Sequence, residues 1–554
     1  MVRLPVLSVL TLTAVAGAQN VTATVNDSRS HGMLGDAQLS LDEAIQLANG
    51  TLAPAALSAQ ERQQLSGIGT LTTIEVHAAT TPTITYERDL TPLTGVPGGA
   101  ADVELVGIPQ NGTFPVLDAG TTNHGVALRT NRVQVRGFDL RGGRVGVDAD
   151  TTAALTLGVF AIVADVTFTG QIEAGLRARA PNDQPARRIL LKVRRCTFDG
   201  LPIGVEVRSE SDFGRIDIEA EWLTFTACAT AIDLDSVAAG GTHQWQAFRT
   251  DVTGGDYGVR LRRAVGNDSE WLVRAAYGTW FARRTVFELE GSTTGADTVF
   301  HHHQLDVRGG MGSNDYALLT KPANARFDLH SSENVFEGNV LIQSGRPSRR
   351  LWYVGNRFVN GTFAITNEGV RPELQWNAFV GTPVTVLSSN TQLVKFLECE
   401  FVRSPITDAT RSGTTELTGC YQTSSPTSGN VVVQSPAPSG WIADATVAPV
   451  DPPRGTFVDL DIDLQPGTGA VWWLGLSEPR PVTTNYPFRY YLYVPTAVVL
   501  PFVFTGQGHL RLPIPGDAYL AGVEFHAQPL VAPIAGQTHV PPVSMPRGGR
   551  FLVH

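Results

Sequence analysis

Residues 352–365 read WYVGNRFVNGTFAI, and this stretch decides the fold because its Asn-x-Phe pattern recurs on both sides of it. The preceding copy is SSENVFEGNVLI (331–342), and the following copy is LQWNAFVGTPVTV (374–386). In each copy a Gly or an Asn stands two residues after the Phe, and both residue types tolerate the positive φ of a sharp corner. Short alternating segments follow, which indicate half-buried strands. A fixed period with a corner and short strands predicts a solenoid.

The repeat extends through most of the chain. Its anchors are spaced by 27 to 30 residues at first and by 21 to 22 later, at Phe138, Phe168, Phe198, Phe225, Val252, Trp280, Val307, Phe336, Phe358, Phe379 and Phe401. A second strand follows each anchor, as in GVEVR (204–208) and GVRLR (258–262), and it alternates with a period of two rather than with a helical period. The pattern predicts an all-β parallel β-helix of about 11 to 12 coils, stacked about 4.8 Å apart.

Asparagine and then cysteine occupy the position two residues before the later anchors. Asn334, Asn356 and Asn377 come first, and Cys399 and Cys420 continue the series. Stacked asparagines can pass amide hydrogen bonds from coil to coil, so we expect a structural ladder inside the bend. The two cysteines would lie one coil apart, either as a disulfide or as stacked thiols. Cys196 and Cys228 fall at other phases of the repeat and are expected to be unpaired.

The chain resembles the bacterial right-handed parallel β-helix superfamily, to which pectate lyases and many secreted surface proteins belong. The resemblance covers roughly residues 100 to 435 and implies a fold and export rather than a particular reaction. The segment LSLDEAIQLANG (39–50) is similar to the SLREAI..AN motif of extracellular bacterial β-helix proteins. Its Ser40 and Glu43 predict a capping box that opens an amphipathic helix. Such a helix covers the open edge of a first coil, and LSAQERQQL (57–65) predicts a second short helix.

The remaining segments predict an exported, modular protein. Arg3, an apolar run and Ala16-Gly17-Ala18 predict a signal peptide over residues 1–18, cleaved near Ala18. We expect a cap region at 19–100, the β-helix at 101–435, a Pro-rich linker at 436–455 and a β-sandwich at 456–554. The phrase TGQGHLRLPIPGDAYLAGVEFHAQPL (505–530) is similar to a C-terminal module of large secreted bacterial proteins. The predicted location is therefore secreted or cell-surface.

Composition narrows the classes of partner. The net charge is −10, and only three of the 42 basic residues are lysines, so the chain offers no phosphate-binding surface and nucleic acid is not an expected partner. No apolar stretch after the signal reaches transmembrane length. Polysaccharide or other cell-envelope components fit better as partners.

Charged residues align on the second strand of successive coils. One column is Arg177, Glu206, Asp233, Arg260 and Glu288, and the next is Arg179, Arg208, Asp235, Arg262 and Glu290. These columns favour a ladder of surface ion pairs, each contributing about 0.2–1 kcal/mol. The alternative is a polysaccharide-binding face that uses Arg208, Arg260 and Arg262 as clamps for acidic sugars. Glu206, Asp233 and Asp235 are then the candidate catalytic carboxylates, although any two acids in adjacent coils would have the spacing of a retaining glycosidase pair.

Catalytic signatures of the resembled superfamily do not occur here. The Asn-Thr-Asp, Asp-Asp, Gly-His-Gly and Arg-Ile-Lys motifs of polygalacturonases are missing, as are the pectin-esterase signatures. The run GRPSRR (345–350) does not match the R-x-P-x-x-R of pectate lyases. Without these motifs, a lyase or hydrolase rests on analogy of fold alone.

Two segments offer metal ligands. In FHHHQLDV (300–307), His301 and His303 share one strand face and could bind a metal, against the alternative of solvated or stacked rings. In FVDLDIDLQPG (457–467), alternating Asp459, Asp461 and Asp463 could hold Ca²⁺, against the alternative of an exposed acidic face. No other cofactor is indicated.

Two functions therefore stay open. The favoured one is an exported, non-catalytic β-helix that serves as a surface or matrix protein and binds polysaccharide along one face. The alternative is a polysaccharide lyase or glycoside hydrolase acting on an acidic polysaccharide.

Overall fold

A computed structural model describes most of the chain. The described residues are 20–67, 70–95, 102–151, 158–181, 188–210, 214–237, 240–264, 269–291, 297–310, 312–321, 326–344, 350–367, 373–387, 393–410, 413–436, 444–448, 452–463, 468–475, 498–505, 507–516, 523–533 and 549–553. The predicted signal peptide lies outside these residues.

In the described part of the chain, a wide sheet of 27 strands forms two of the three faces of the solenoid. We call these two faces the first arm and the second arm, and several strands of the first arm continue through a corner into the second. The strands of the first arm are β1 (Asn20–Val25), β2 (Leu65–Ser66), β3 (Thr70–His77), β5 (Val103–Ile108), β8 (Asn131–Arg141), β10 (Gly158–Thr169), β12 (Arg188–Arg194), β15 (Arg215–Glu221), β18 (Thr242–Phe248), β21 (Glu270–Phe281), β23 (Asp297–Arg308), β25 (Arg326–Ser332), β28 (Arg350–Val354), β31 (Glu373–Gln375), β34 (Leu393–Leu397), β37 (Thr414–Thr418) and β40 (Val431–Gln434). Further strands of the second arm are β4 (Thr83–Thr85), β6 (Val116–Asp118), β13 (Thr197–Asp199), β16 (Thr224–Thr226), β19 (Asp251–Thr253), β26 (Val335–Glu337), β29 (Arg357–Val359), β32 (Ala378–Val380), β35 (Glu400–Val402) and β38 (Tyr421–Thr423).

A narrow sheet of 13 strands forms the third face. Its strands are β7 (Val126–Leu128), β9 (Val145–Asp150), β11 (Ala174–Ala180), β14 (Ile203–Ser209), β17 (Thr230–Ser236), β20 (Tyr257–Arg263), β22 (Thr285–Glu290), β24 (Tyr316–Lys321), β27 (Val340–Ser344), β30 (Phe363–Asn367), β33 (Val384–Val386), β36 (Ile406–Asp408) and β39 (Thr427–Gly429). Each strand pairs in parallel with the equivalent strand of the next coil, as β14 does with β17. The predicted fold class, an all-β parallel β-helix, is confirmed, with more stacked strands than the 11 to 12 coils expected from the anchors.

Two short helices lie at the N-terminal end. Helix α1 (Leu41–Ala48) has the predicted capping box, since Ser40 accepts from the Glu43 amide and Glu43 accepts from the Ser40 amide. A 3₁₀ turn (Pro54–Ala56) and helix α2 (Ala59–Arg62) follow. The parallel ladder already begins here, because β1 pairs with β3 and β3 pairs with β5. Among the described residues no helix is long and apolar enough to cross a membrane.

The C-terminal region contains two small antiparallel sheets. One consists of β41 (Asp444–Ala448), β42 (Phe457–Asp463) and β45 (Gln507–Pro513), and the other of β43 (Thr468–Gly475), β44 (Val498–Thr505), β46 (Glu524–Pro533) and β47 (Gly549–Leu552). Residues from both sheets, including Leu460 and Trp472, share one buried cluster. The β-sandwich and the domain boundaries stay predictions.

The anchors stack as the repeat predicts, with one exception. Ring pairs Phe168–Phe198 and Phe198–Phe225 are nearly coplanar stacks with centroids 4.6 and 4.7 Å apart. The prediction that Phe138 precedes Phe168 was wrong, because Leu140 pairs with Phe168 while Phe138 pairs with Val166. A long strand passes through the corner there, so sequence spacing alone misplaces the register by two residues.

The corner between the two arms of the wide sheet is built from residues with positive φ. Trp222, Tyr277 and Trp376 adopt φ of 59°, 58° and 56°, three residues before their anchors. Large side chains rarely take this conformation, which costs about 1–2 kcal/mol per residue relative to the right-handed region. Sequence reasoning missed this corner, since it looked for glycine.

The asparagine ladder lies just inside that corner, as predicted. Asn334 Nδ2 donates to Asn356 Oδ1 (2.9 Å), and Asn356 Nδ2 donates to Asn377 Oδ1 (3.0 Å). All three side chains are buried. The Oδ1 atoms of Asn356 and Asn377 also accept hydrogen bonds from the main-chain amides of Asn334 and Asn356 in the preceding coils. The buried side-chain amides therefore have hydrogen-bond partners inside the bend.

Cysteines replace asparagine in the last coils. The disulfide between Cys399 and Cys420, one of the two predicted alternatives, is not formed: both are free thiols. Cys399 Sγ donates to the Leu374 carbonyl (3.2 Å), Cys420 Sγ donates to the Phe396 carbonyl (3.3 Å), and the Cys399 amide donates to Cys420 Sγ (3.4 Å). Each thiol is thus directed along the ladder toward main-chain groups.

Candidate functional site

The charged columns predicted for the second strand lie on the outer face of the narrow sheet. Strand register places Arg177, Glu206, Asp233, Arg260 and Glu288 in consecutive rungs. We call this column and its neighbour (Arg179, Arg208, Asp235, Arg262, Glu290) the ionic ladder. The predicted alignment is confirmed, because parallel strands bring residues of equal phase directly over one another.

The arginines proposed as sugar clamps are already paired within the chain. Arg262 binds Asp233 through Nη2 (2.5 Å) and Nε (3.1 Å), and Arg260 Nε lies 2.9 Å from Glu288 Oε2. Arg208 Nε lies 2.6 Å from Glu210 Oε1. An acidic sugar would have to displace a carboxylate at each of these positions, so the geometry matches the surface ion-pair interpretation.

The candidate catalytic carboxylates are held in the same way. Glu206 accepts from Arg177 Nε (2.5 Å), and Asp235 lies 3.9 Å from Arg262 Nη2. Asp233 is only 4% exposed, and burial raises the pKa of Asp233 although Arg262 and Arg260 oppose the shift. Glu206 and Asp233 are neighbours in register, but each is bonded to an arginine, Glu206 to Arg177 and Asp233 to Arg262.

A different surface emerges on the first arm of the wide sheet. Register places Arg274, His301, His330 and Trp352 in four consecutive rungs of one outward column, after Gln246. We call these four residues the histidine–arginine column. All four side chains are partly exposed.

The geometry of the histidine–arginine column is that of a stacked strip. The His301 and His330 rings lie 4.4 Å apart at 31°, and the Trp352 ring meets His330 edge-on at 5.5 Å. Arg274 Nη1 donates to Gln246 Oε1 at 3.4 Å, and His330 Nε2 lies 3.1 Å from Asp328 Oδ1. The strip therefore presents a guanidinium, two imidazoles and an indole along the solenoid axis.

Electrostatics distinguish this strip from the rest of its column. Lys192 pairs with Glu219 (3.2 Å) and Lys395 with Glu416 (3.4 Å) elsewhere in the column. Burial lowers the pKa of Arg274, and no carboxylate of the described residues is paired with it. Burial, with smaller contributions from His330 and Arg274, lowers the pKa of His301 to about 3. Among the described side chains, no carboxylate is paired with Arg274 or His301, so none competes there with an anionic ligand.

The two predicted metal ligands diverge in the structure. His303 Nδ1 lies 2.6 Å from Ser332 Oγ, whereas His301 stacks on His330. The side chains that the structure describes include no group of three His, Cys, Asp or Glu residues placed to hold a metal ion. His302 points into the core and is fully buried among aromatic rings.

The acidic strand in the C-terminal region is partly neutralised. Arg511 Nε lies 2.7 Å from Asp459 Oδ1, and His509 Nδ1 lies 2.6 Å from Asp461 Oδ1. The Asp463 side chain lies outside the described part of the chain. The Ca²⁺ hypothesis for this segment stays a prediction.

Sequence reasoning found one rung of the strip but not its neighbours. The run FHHHQLDV marked His301, yet Arg274 lies 27 residues before it, His330 lies 29 after it, and Trp352 lies 22 after His330. Unequal loop lengths hide the common column. The common column becomes visible when the repeats are aligned on their anchors and residues are counted back along the strand that precedes each anchor.

Comparisons with known proteins add little. No protein-family model matches the chain, and no curated protein matches it. One solved structure with similarity is a tailspike protein gp49 from Acinetobacter baumannii bacteriophage Fri1, described as a capsular polysaccharide depolymerase. Identity is 9%, the match covers 86% of this chain and 81% of that one, and the TM-score is 0.19. Likeness at this level is too weak to bear on function.

Proposed function

We propose that this protein is an exported, non-catalytic β-helix that binds acidic polysaccharide at the histidine–arginine column. The single observation that supports this most is Arg274, a partly buried guanidinium without a paired carboxylate among the described residues, in line with two imidazoles and an indole. Elsewhere on the outer faces most arginines carry a carboxylate of their own chain, as Arg260 and Arg262 do.

Each residue of the strip suits one part of an acidic sugar chain. A guanidinium binds a carboxylate or sulfate through two parallel N–H bonds. The partly exposed indole of Trp352 offers an apolar ring face on which a sugar ring can stack. Because the strip follows the solenoid axis in rungs about 4.8 Å apart, a polymer lying along the axis meets all four side chains in turn. This matches a rigid surface or matrix protein that holds cell-envelope polysaccharide.

Calorimetry with defined polymers tests this function. Hyaluronan, polygalacturonate and dextran sulfate are titrated into the mature protein, with uncharged dextran as the polymer control. We expect at least one acidic polymer to bind and dextran not to bind. Arg274→Gln should weaken binding about tenfold or more, equivalent to about 1.4 kcal/mol.

The matched control is Arg262→Gln on the narrow sheet, where the arginine already pairs with Asp233. This variant should leave affinity unchanged. If Arg262→Gln abolished binding and Arg274→Gln did not, the site would lie on the ionic ladder instead, as the sequence suggested.

A second candidate function, polysaccharide lyase, is favoured by the position of Arg274 one rung from His301 on an outward face, where burial lowers the pKa of both groups. In an elimination, a base takes the proton from the carbon next to the uronate carboxylate, a double bond forms to the adjacent carbon, and the glycosidic oxygen leaves that carbon and takes up a proton from an acid or from water. Incubation with the same acidic polymers, followed by ultraviolet absorbance of unsaturated uronate and by reducing-end assay, separates the two. Sustained product formation that Arg274→Gln removes would replace binding with catalysis.

A further inference from the structure

The histidine–arginine column crowds groups that would all be positive if protonated. Arg274 on β21 precedes His301 on β23 by one rung, and His330 on β25 follows by one rung. The imidazole rings are 4.4 Å apart at their centroids. Three unit charges in rungs about 4.8 Å apart repel one another unless an anion lies over them.

Among the described residues, the carboxylate that acts on His301 is that of Asp328. From β25, Asp328 lies in the neighbouring column and is bonded to His330. From its own strand, His303 lies two residues on and is bonded to Ser332. From β21, Arg274 adds repulsion. His301 is therefore kept neutral in the free protein by its neighbours as well as by burial.

We propose that acidic ligands bind this column together with a proton, taken up by His301, which stacks on His330 and follows Arg274 by one rung. This inference rests on the proposed function. An anion bound along the strip offsets the repulsion from Arg274 and favours the imidazolium, so the ligand and the proton stabilise each other's binding.

The linkage has a definite sign. The free protein holds His301 at a pKa of about 3, and the bound anion raises that pKa. Affinity must then increase as pH falls below the bound-state pKa, by up to about tenfold per pH unit for one proton. The increase ends where free His301 is itself protonated.

Dextran sulfate is the probe, because its sulfates keep their charge throughout the range. Binding is measured calorimetrically at about pH 7.5 and about pH 5.5, which bracket the unperturbed histidine pKa. Two buffers of different ionisation enthalpy are used at each pH, so that the slope of heat against buffer enthalpy counts protons. We expect net uptake approaching one proton and at least a several-fold tighter complex at the lower pH.

His301→Gln should abolish both the proton uptake and most of the pH dependence while retaining binding through Arg274. The matched control is His77→Gln, which removes an imidazole on the first arm that pairs with Glu75 (2.9 Å) far from the strip. It should behave as wild type. Binding that takes up no proton, or uptake that survives His301→Gln, overturns this inference and leaves the proposed function intact. Failure of the wild-type protein to bind any acidic polymer overturns the proposed function.

Discussion

The coils before Leu319 and the coils after it are held together by interactions in different places. Before it, the narrow sheet carries the ionic ladder on its outer face. After it, the same outward column is uncharged and reads Leu319, Leu341, Ala364, Thr385, Thr407 and Ser428. In these later coils a ladder of buried asparagine and cysteine side chains runs inside the corner of the wide sheet instead. On the outer column, Ser428 Oγ donates to Thr407 Oγ1 (3.1 Å).

A second internal ladder strengthens the later coils. The Thr382 amide donates to Ser404 Oγ (2.9 Å), and the Ser404 amide donates to Ser425 Oγ (2.9 Å). These rungs are also the short ones, with 21 to 22 residues per anchor step. The difference shows that successive coils of one fold can be joined by ion pairs on an outer face or by hydrogen bonds to buried polar side chains, and the two differ in salt sensitivity and energy.

The candidate site lies where the two regions meet. Asn334, the first asparagine of the ladder, donates from Nδ2 to the His302 carbonyl (3.1 Å). His301 and His303 flank that residue on the outer face. The internal ladder thus fixes the backbone on which the histidine–arginine column stands.

Breaking the internal ladder should have the largest effect. Asn356 Oδ1 accepts from the Asn334 amide, from Asn334 Nδ2 and from Ser331 Oγ. Asn356→Leu leaves these buried donors unpaired, so we expect a loss of about 3 kcal/mol or more in the free energy of local opening. Amide hydrogen exchange at β26 and β29 measures it. Thr385→Ala, on the outer face, is the control and should change little; equal losses would refute the internal ladder as the stabilising element.

An intermediate effect is expected from acid on the earlier coils. Burial lowers the pKa of His243 to about 3, and its ring packs on Trp271 with centroids 4.8 Å apart. The unfolded chain binds a proton near the unperturbed pKa of about 6.5, so stability falls by up to about 1.4 kcal/mol per pH unit as pH drops from there toward 3.

His243→Leu should remove that part of the acid sensitivity. Hydrogen exchange in β18 and β21 between about pH 6.5 and about pH 4.5 tests it, compared with exchange in β32 and β35 of the same sample. A pH dependence that is the same in the variant and in wild type would show that His243 is not its source.

The smallest effect belongs to the ionic ladder. Glu288 lies between Arg260 (2.9 Å) and Lys321, and these two cations outweigh the burial that by itself would raise the pKa of Glu288. Glu288→Gln should cost about 1 kcal/mol at low salt and somewhat less in about 1 M salt, because the partly exposed Arg260 and Lys321 are screened although Glu288 itself is buried. Urea unfolding at both salt concentrations measures it. The Asn356→Leu loss should not change with salt, and a salt-dependent loss there would erase the contrast between the two regions.

The sequence predicted the interior better than the surface. Asn334, Asn356 and Asn377 recur at one phase because a buried corner tolerates few residue types. The same regularity placed Glu206 over Asp233 correctly. The repeat pattern predicted the wrong partner for Phe138, because a long strand passes through the corner there and shifts the register. It also did not predict the positive φ of Trp222 and Tyr277, because neither residue type prefers that conformation.

By itself, the sequence determined that the chain winds into stacked parallel strands. Every coil buries the same corner, so the residues of that corner recur at a regular spacing along the sequence. Only the tertiary structure decided which outward side chains of the wide sheet's first arm meet. Loops of unequal length separate Arg274, His301, His330 and Trp352 in the sequence, and strand pairing alone brings them into one column. Pairing also decided that Arg260 and Arg262 are neutralised by carboxylates, since an ion pair depends on side-chain direction and distance rather than on spacing along the chain.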